Sequence, residues 1–208
     1  MTAAAGAGSS GPAGSVRRGR RPGAPDTRNA ILAAAREQFA AHGFRRTTIR
    51  AVAAEAGVDP ALVHHYFGSK DDLFVSALEL PVDPRAVIGP AMAEGLDGAG
   101  ERLVRALLEM WDDEDVRPHL LALARTMLEP EGHRLMREGF LPAVVLPAAQ
   151  VLGVDQPERR MTLVASQVIG LIMTRYLLEV EPLASMPRED VVAVVGPNIQ
   201  RFLADPLP

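Results

Sequence analysis

The chain has 208 residues, 48% hydrophobic and 23% charged, with a formal net charge of −4 and no cysteine. That balance describes an ordinary globular protein, and the missing thiols exclude disulfides and thiolate metal sites while suiting a reducing cytoplasm. The charge is uneven, with 10 Lys+Arg against 7 Asp+Glu in residues 1–80 and 12 against 19 in residues 81–208, so a basic part fit for nucleic acid precedes an acidic part that would avoid phosphate.

Residues 1–25 are rich in Ala, Gly, Ser and Pro and lack apolar periodicity, so they are expected to form a disordered arm. They contain no apolar stretch of the kind a signal peptide needs. Arg17, Arg18, Arg20 and Arg21 cluster around Gly19, as in arms that enter narrow A·T-rich minor grooves. A solvated basic tail with only non-specific phosphate attraction is the equal alternative.

Asp26 or Thr27 can cap a helix that runs to about His42 and stops at Gly43, with Ile31, Leu32, Ala35 and Phe39 on its apolar face. The stretch Thr47–Leu73 follows, and the rest of the chain is organised around it. Ile49, Val52, Ala53 and Ala56 give one helical face, begun by Thr47 or Thr48 and ended by Gly57. Asp59 then suits an N-cap and Pro60 the first helical position, with Val63 and Phe67 turned inward. Ser69-Lys70-Asp71-Asp72 opens a third helix with a pair resembling a capping box. Two short helices about a glycine turn make a helix-turn-helix.

That third helix should reach Leu80, where Pro81, Pro84 and Pro90 mark the domain boundary. Beyond it the pattern stays helical, over about 84–94, 100–112, 116–129, 133–152, 157–180 and 187–203, with Gly196-Pro197 expected to kink the last. The 157–180 segment is apolar nearly all round (Leu163, Val164, Val168, Ile169, Leu171, Ile172, Tyr176, Leu177), so it must be covered on more than one side, and a second subunit is an economical cover. The longest uncharged stretches, Gly139–Val154 and Met161–Thr174, fall short of the ~18 apolar residues a membrane span needs.

Gly57, Val58, Asp59, Val63, Tyr66, Phe67, Ser69, Lys70, Asp71 and Leu73 resemble the DNA-binding signature of tetracycline-repressor (TetR) regulators, over about Asp26 to Leu80. The resemblance implies an all-α fold, with an N-terminal three-helix helix-turn-helix DNA-binding domain over 26–80. A C-terminal helical ligand-binding and dimerisation domain would occupy 81–208. It further implies a homodimer through the helices at about 157–180 and 187–203, and phosphate contacts from Thr48, Tyr66 and Lys70. The run Asp59-Pro60-Ala61-Leu62 departs from the small polar or basic residues of many relatives, which bears on the operator sequence rather than on the binding mode.

With Val63 inward, 100° per residue sets Ala61 and His65 opposite it and Leu62 and His64 on the flanks. These four join Pro60, Asp59 and the phosphate-contact positions as the expected DNA-binding set. Ala61 and Leu62 can press on thymine methyls, giving a partly apolar readout supplemented by His64 or His65. The histidines as an ordinary surface pair are the bland alternative. Asp112-Asp113-Glu114-Asp115 with His119 offers metal-ligating groups, but no spacing fixes a ligand set and such runs are usually solvated loops, so no metal or cofactor is expected. The resemblance places an apolar pocket in the second half, and Leu107, Trp111, Met127, Met173 and Tyr176 are the chosen lining, from adaptable side chains that include Met92, Leu103, Met110 and Phe140.

The reading is a ligand-responsive homodimeric regulator, a repressor bound to a palindromic operator and released by a small apolar effector. The alternative is a non-specific architectural DNA binder, with steep salt dependence and no preferred site. No nucleophile–base–orienter set, phosphate loop or zinc spacing supports an enzyme.

Overall fold

A computed structural model of the chain describes residues 24–208, and among them every regular element is a helix. The arginines of the expected arm, Arg17, Arg18, Arg20 and Arg21, lie outside the described residues. Helix α1 (Ala24–Arg46) is broken at Gly43, whose φ of 76° is open to glycine. It buries Ile31, Leu32, Ala35 and Phe39, the face read from the periodicity.

Three side-chain caps then set the next three helices. The Thr48 hydroxyl accepts the Ala51 N–H at 3.1 Å and starts α2 (Ile49–Glu55). The Asp59 carboxylate accepts the Ala61 N–H at 2.8 Å and starts α3 (Pro60–Phe67). Ser69 starts α4 (Lys70–Ala77), accepting the Asp72 N–H at 3.0 Å and donating its own O–H to the Asp72 carboxylate at 2.6 Å. Each cap satisfies an N–H that the helix start would leave without a partner. Buried Thr47 closes the turn before α2, donating to the carbonyls of Gly43 and Gln38. Val52, Ala53, Val63, Phe67, Leu73 and Phe74 join the buried face of α1 in the core of the N-terminal head. Its densest part is a trio of rings, with Phe74 edge-on to both Phe39 and Phe44 at 5.2 Å.

The chain turns at Pro81, and Arg85 holds the turn by pairing with Asp72 at 2.7 Å and Asp83 at 2.8 Å. Pro90 falls inside α5 (Pro84–Ala93) rather than in a linker. Then come α6 (Ala99–Asp112), α7 (Arg117–Thr126) and α8 (Pro130–Leu135), which runs on through wide π turns at Met136–Val145 into α9 (Leu146–Leu152). Helix α10 (Pro157–Ile172) ends in a second π stretch, Met173–Leu177, short of the expected residue 180, and α11 (Arg188–Ala204) passes through Pro197 as one element.

Helices α6 and α11 form the most extensive pair. Their backbones meet at Gly100 and Gly196: a Cβ on Gly100 would stand 2.4 Å from the Gly196 carbonyl oxygen. The Gln200 amide locks the crossing, accepting from the Gly100 N–H and donating to the Leu96 carbonyl, both at 2.9 Å.

The run Gly132–Leu152 is long and apolar enough to cross a membrane by length and composition. Here it packs between α1 and α4 on one side and α5 and α10 on the other. Leu135, Phe140, Ala143 and Val144 from this run join the head's core, so that core is completed from the far side of the turn at Pro81.

Candidate DNA-binding face and ligand cavity

Helix α3 is held by two inward residues and one cap. Val63 and Phe67 are buried one helical turn apart, and Asp59 fixes the entry. Ala61, His64 and His65 are therefore exposed, while Pro60, Leu62 and Tyr66 are half-buried. Tyr66 has its ring near those of His65 and Phe67. The His64 Nδ1 lies 2.9 Å from the Gly68 carbonyl oxygen, a contact that in the neutral ring places the proton on Nδ1 and leaves Nε2 as an acceptor. Such an acceptor suits an exocyclic amino group on a base edge.

Thr48 and Asp59 have structural work as well. The Thr48 oxygen is an acceptor in its cap, so its O–H remains a donor of the kind phosphate takes. Lys70 folds back on the end of α1, with Nζ 4.3 Å from the centre of the Phe44 ring and 3.4 Å from the Arg45 carbonyl oxygen. Burial lowers its ammonium below the ordinary lysine pKa. Arg45, Arg46 and Arg50 were absent from the expected contact set. All three guanidiniums are exposed within three residues of Thr48, and that adjacency was the available signal.

The second half holds a partly open cavity of about 130 Å³ between α5, α6, α7, the Met136–Val145 π stretch and α10. Leu107, Trp111, Met127 and Met173 line it. Tyr176 stands behind the wall, stacked on Trp111 at 5.1 Å and donating its O–H to the Asp112 carboxylate at 2.8 Å. Burial, and then Asp112, pushes that phenol up to about 12. Met136, Leu141, Val145, Met161 and Val164 also line the cavity. No sequence signal marks them, because a lining residue and a core residue are alike apolar at helical spacing.

The acidic run has other duties. Asp112 takes the Tyr176 hydroxyl and, at 3.0 Å, Arg188 Nε, and Asp113 holds the turn before α7 by accepting the N–H groups of Asp115 and Val116. The His119 ring contacts the Asp115 carbonyl. Among the described residues no three His, Cys, Asp or Glu side chains gather as metal ligands would.

A capped helix-turn-helix joined to an all-helical half with an apolar cavity defines a DNA-binding regulator. Residues 31–77 match the family model described as "Bacterial regulatory proteins, tetR family", and residues 97–203, just over half the chain, match "Tetracyclin repressor-like, C-terminal domain". The chain belongs to the TetR family of transcriptional regulators.

Among curated relatives it is similar to the HTH-type transcriptional regulator HbdR of Aromatoleum sp. (strain CIB), 37% identical over 39% of this chain and 36% of that protein. It is also similar to the HTH-type transcriptional repressor SCO4008 of Streptomyces coelicolor, 33% identical over 47% of each. The chain thus spans half or less of the length of these relatives. Among solved structures, the TetR-family regulator SCO0857 from Streptomyces coelicolor A3 is 40% identical over 90% of this chain and 99% of its own, with a TM-score of 0.47.

Proposed function

We propose that the protein is a homodimeric repressor working in the cytoplasm, which binds a palindromic DNA operator and is released by a small apolar effector. The observation that carries this reading is the single run from Met136 to Val145. Met136, Phe140, Leu141 and Val145 line the cavity, while Ala143 and Val144 belong to the core of the DNA-binding head. A ligand that fits one arrangement of that wall better than another shifts the head between DNA-competent and incompetent placements.

On the DNA side, Ala61, Leu62, His64 and His65 read bases from the major groove, with Asp59 and Pro60 at the helix entry, and Thr48, Tyr66 and Lys70 position the phosphates. Arg45, Arg46 and Arg50 add charge beside Thr48. Arg17, Arg18, Arg20 and Arg21 are assigned to the minor groove. Dimerisation through α10 and α11 is supported by large apolar side chains left in solvent there, Ile169 at 39% exposure and Val194 at 64%. Two-fold symmetry in the protein asks for two-fold symmetry in the operator.

The test is to incubate the purified protein with a randomised duplex pool and sequence what it retains. An enriched palindrome is the expected result. No enrichment at moderate salt, with the protein folded and dimeric, would replace this reading with the non-specific architectural binder.

A further inference from the structure

The cavity's chemistry is narrower than "apolar". Every side chain that lines it is hydrocarbon, thioether or aromatic. The two buried arginines of this half, Arg160 and Arg175, do not line it. Arg160 donates to the carbonyls of Asp155, Phe202 and Asp205 and to the Asp155 carboxylate. Arg175 Nη1 donates to the carbonyls of Leu183 and Met186, and its buried Nε, which has no hydrogen-bond partner, belongs to a guanidinium 5.5 Å from the Tyr176 ring and outside the cavity lining. The Tyr176 hydroxyl is committed to Asp112 behind the Trp111 ring. A carboxylate, phosphate or ammonium brought into this space would lose its water and find no opposite charge, a cost that ordinary binding energy does not offset.

Size narrows the class further. At about 130 Å³ the cavity approaches the roughly 150 Å³ of an engineered apolar cavity that takes up benzene. That space holds one ring with a few methyl groups. The wall is also adaptable, because six of the chain's eight methionines line it: Met92, Met110, Met127, Met136, Met161 and Met173. Unbranched thioethers re-pack around varied shapes and contact ring edges favourably.

We infer that the effector class is neutral, single-ring, hydrocarbon-like molecules, aromatic or alicyclic, without a charged head group. This rests on the regulatory reading above and names the ligand of its cavity. Trp111 is the chain's one tryptophan and forms part of the wall, so the emission of the full-length protein reports occupancy directly.

The experiment titrates the protein with p-xylene, 4-methylbenzoate and 4-methylbenzylammonium, which share a skeleton and differ in charge, following Trp111 fluorescence and, independently, heat by calorimetry. Saturable binding of p-xylene is expected, with both charged probes weaker by roughly a hundredfold or more. A charged probe binding as well as p-xylene, or no saturable p-xylene signal by either method, overturns the assignment. Filling the space with Ala165→Leu should weaken p-xylene at least about tenfold, since the added volume occupies the site, while far-ultraviolet dichroism and the thermal midpoint report an intact fold. Unchanged p-xylene affinity in that folded variant also overturns the assignment, because the ligand would then sit elsewhere. The duplex selection is run on the same preparation. An enriched palindrome without p-xylene binding sinks this inference and leaves the regulator standing. Binding of p-xylene without an enriched duplex upholds the ligand site and sinks the regulator.

Discussion

Gly139→Ala tests how tightly the cavity wall is fitted to the head. A Cβ at Gly139 would stand 2.4 Å from Phe74 Cζ and 2.5 Å from Cε2, where carbon atoms normally approach to about 3.5–4.0 Å. The ring must therefore retreat by about an ångström. It has little room to do so, since Phe74 is 1% exposed and faces the Phe39 and Phe44 rings at 5.2 Å. Overpacking of this kind costs about 1–3 kcal/mol. Alanine's better helical propensity returns up to about 1 kcal/mol. The expected net loss is about 1–2 kcal/mol, or about 0.5–1 M in the urea midpoint for a typical slope near 2 kcal/mol/M.

The control is Gly170→Ala in α10, where an added Cβ meets nothing of the same chain within 4 Å and no proline follows to crowd it. There the same substitution should be neutral or stabilise by up to about 1 kcal/mol. A rise in the urea midpoint of Gly139→Ala matching that of the control, with an unchanged slope, would refute tight packing of this wall against Phe74.

Lys70→Ala should weaken binding to all duplexes and lower the salt slope by about one, as one phosphate contact is lost; an unchanged slope in a salt titration would confine Lys70 to its contact with Phe44 and Arg45. Leu62→Ala should lower the preference at one or two base pairs by about 1 kcal/mol, and equal weakening on random duplex would show that Leu62 does not face the bases. The Ser69 hydroxyl, with Arg85, holds the Asp72 carboxyl below its ordinary 3.8, so its stabilisation is full above that pH and lost as the pH falls through the lower folded value. Asp72→Asn should therefore lose stability at pH 7 and little at pH 2 in urea melts, and equal losses at both would contradict the linkage. Tyr176 titrates in the opposite sense: its phenol at about 12 against an ordinary 10.0 means stability declines as pH rises between those values. In a Tyr66→Phe variant, ultraviolet titration should find the remaining phenol ionising near 12 before unfolding, and a transition near 10 in the folded protein would contradict the burial argument.

The helix starts were legible because caps act locally. Thr48, Asp59 and Ser69 each reach only two or three residues along the chain, and their spacing is written in the sequence. The division of α3 into inward Val63 and Phe67 and outward His64 and His65 follows from helical geometry alone. What depends on distant residues was not legible. Lys70 offered no sign that it would settle on Phe44, 26 positions back in the chain. Tyr176 shares the aromatic character of Trp111, and only the packing sets one on the cavity and the other behind it. Gly100 and Gly196 read as a helix start and a kink, yet they are where two backbones touch. The π turns of Met136–Val145 leave no pattern in a periodicity of 3.6 residues.

The sharing of the head's core with residues 143 and 144 bears on how this protein can be cut and recombined. A fragment ending at Leu80 retains the whole helix-turn-helix, yet it strips the cover from Phe74, Ala77 and the neighbouring rings. The helix-turn-helix is continuous in sequence, yet part of its core is supplied by residues 135–144. A chimera that joins this head to another regulator's ligand-binding half inherits a mismatched seam unless residues 135–144 travel with it. Grafted together, the two segments keep the helix-turn-helix with the residues that complete its core.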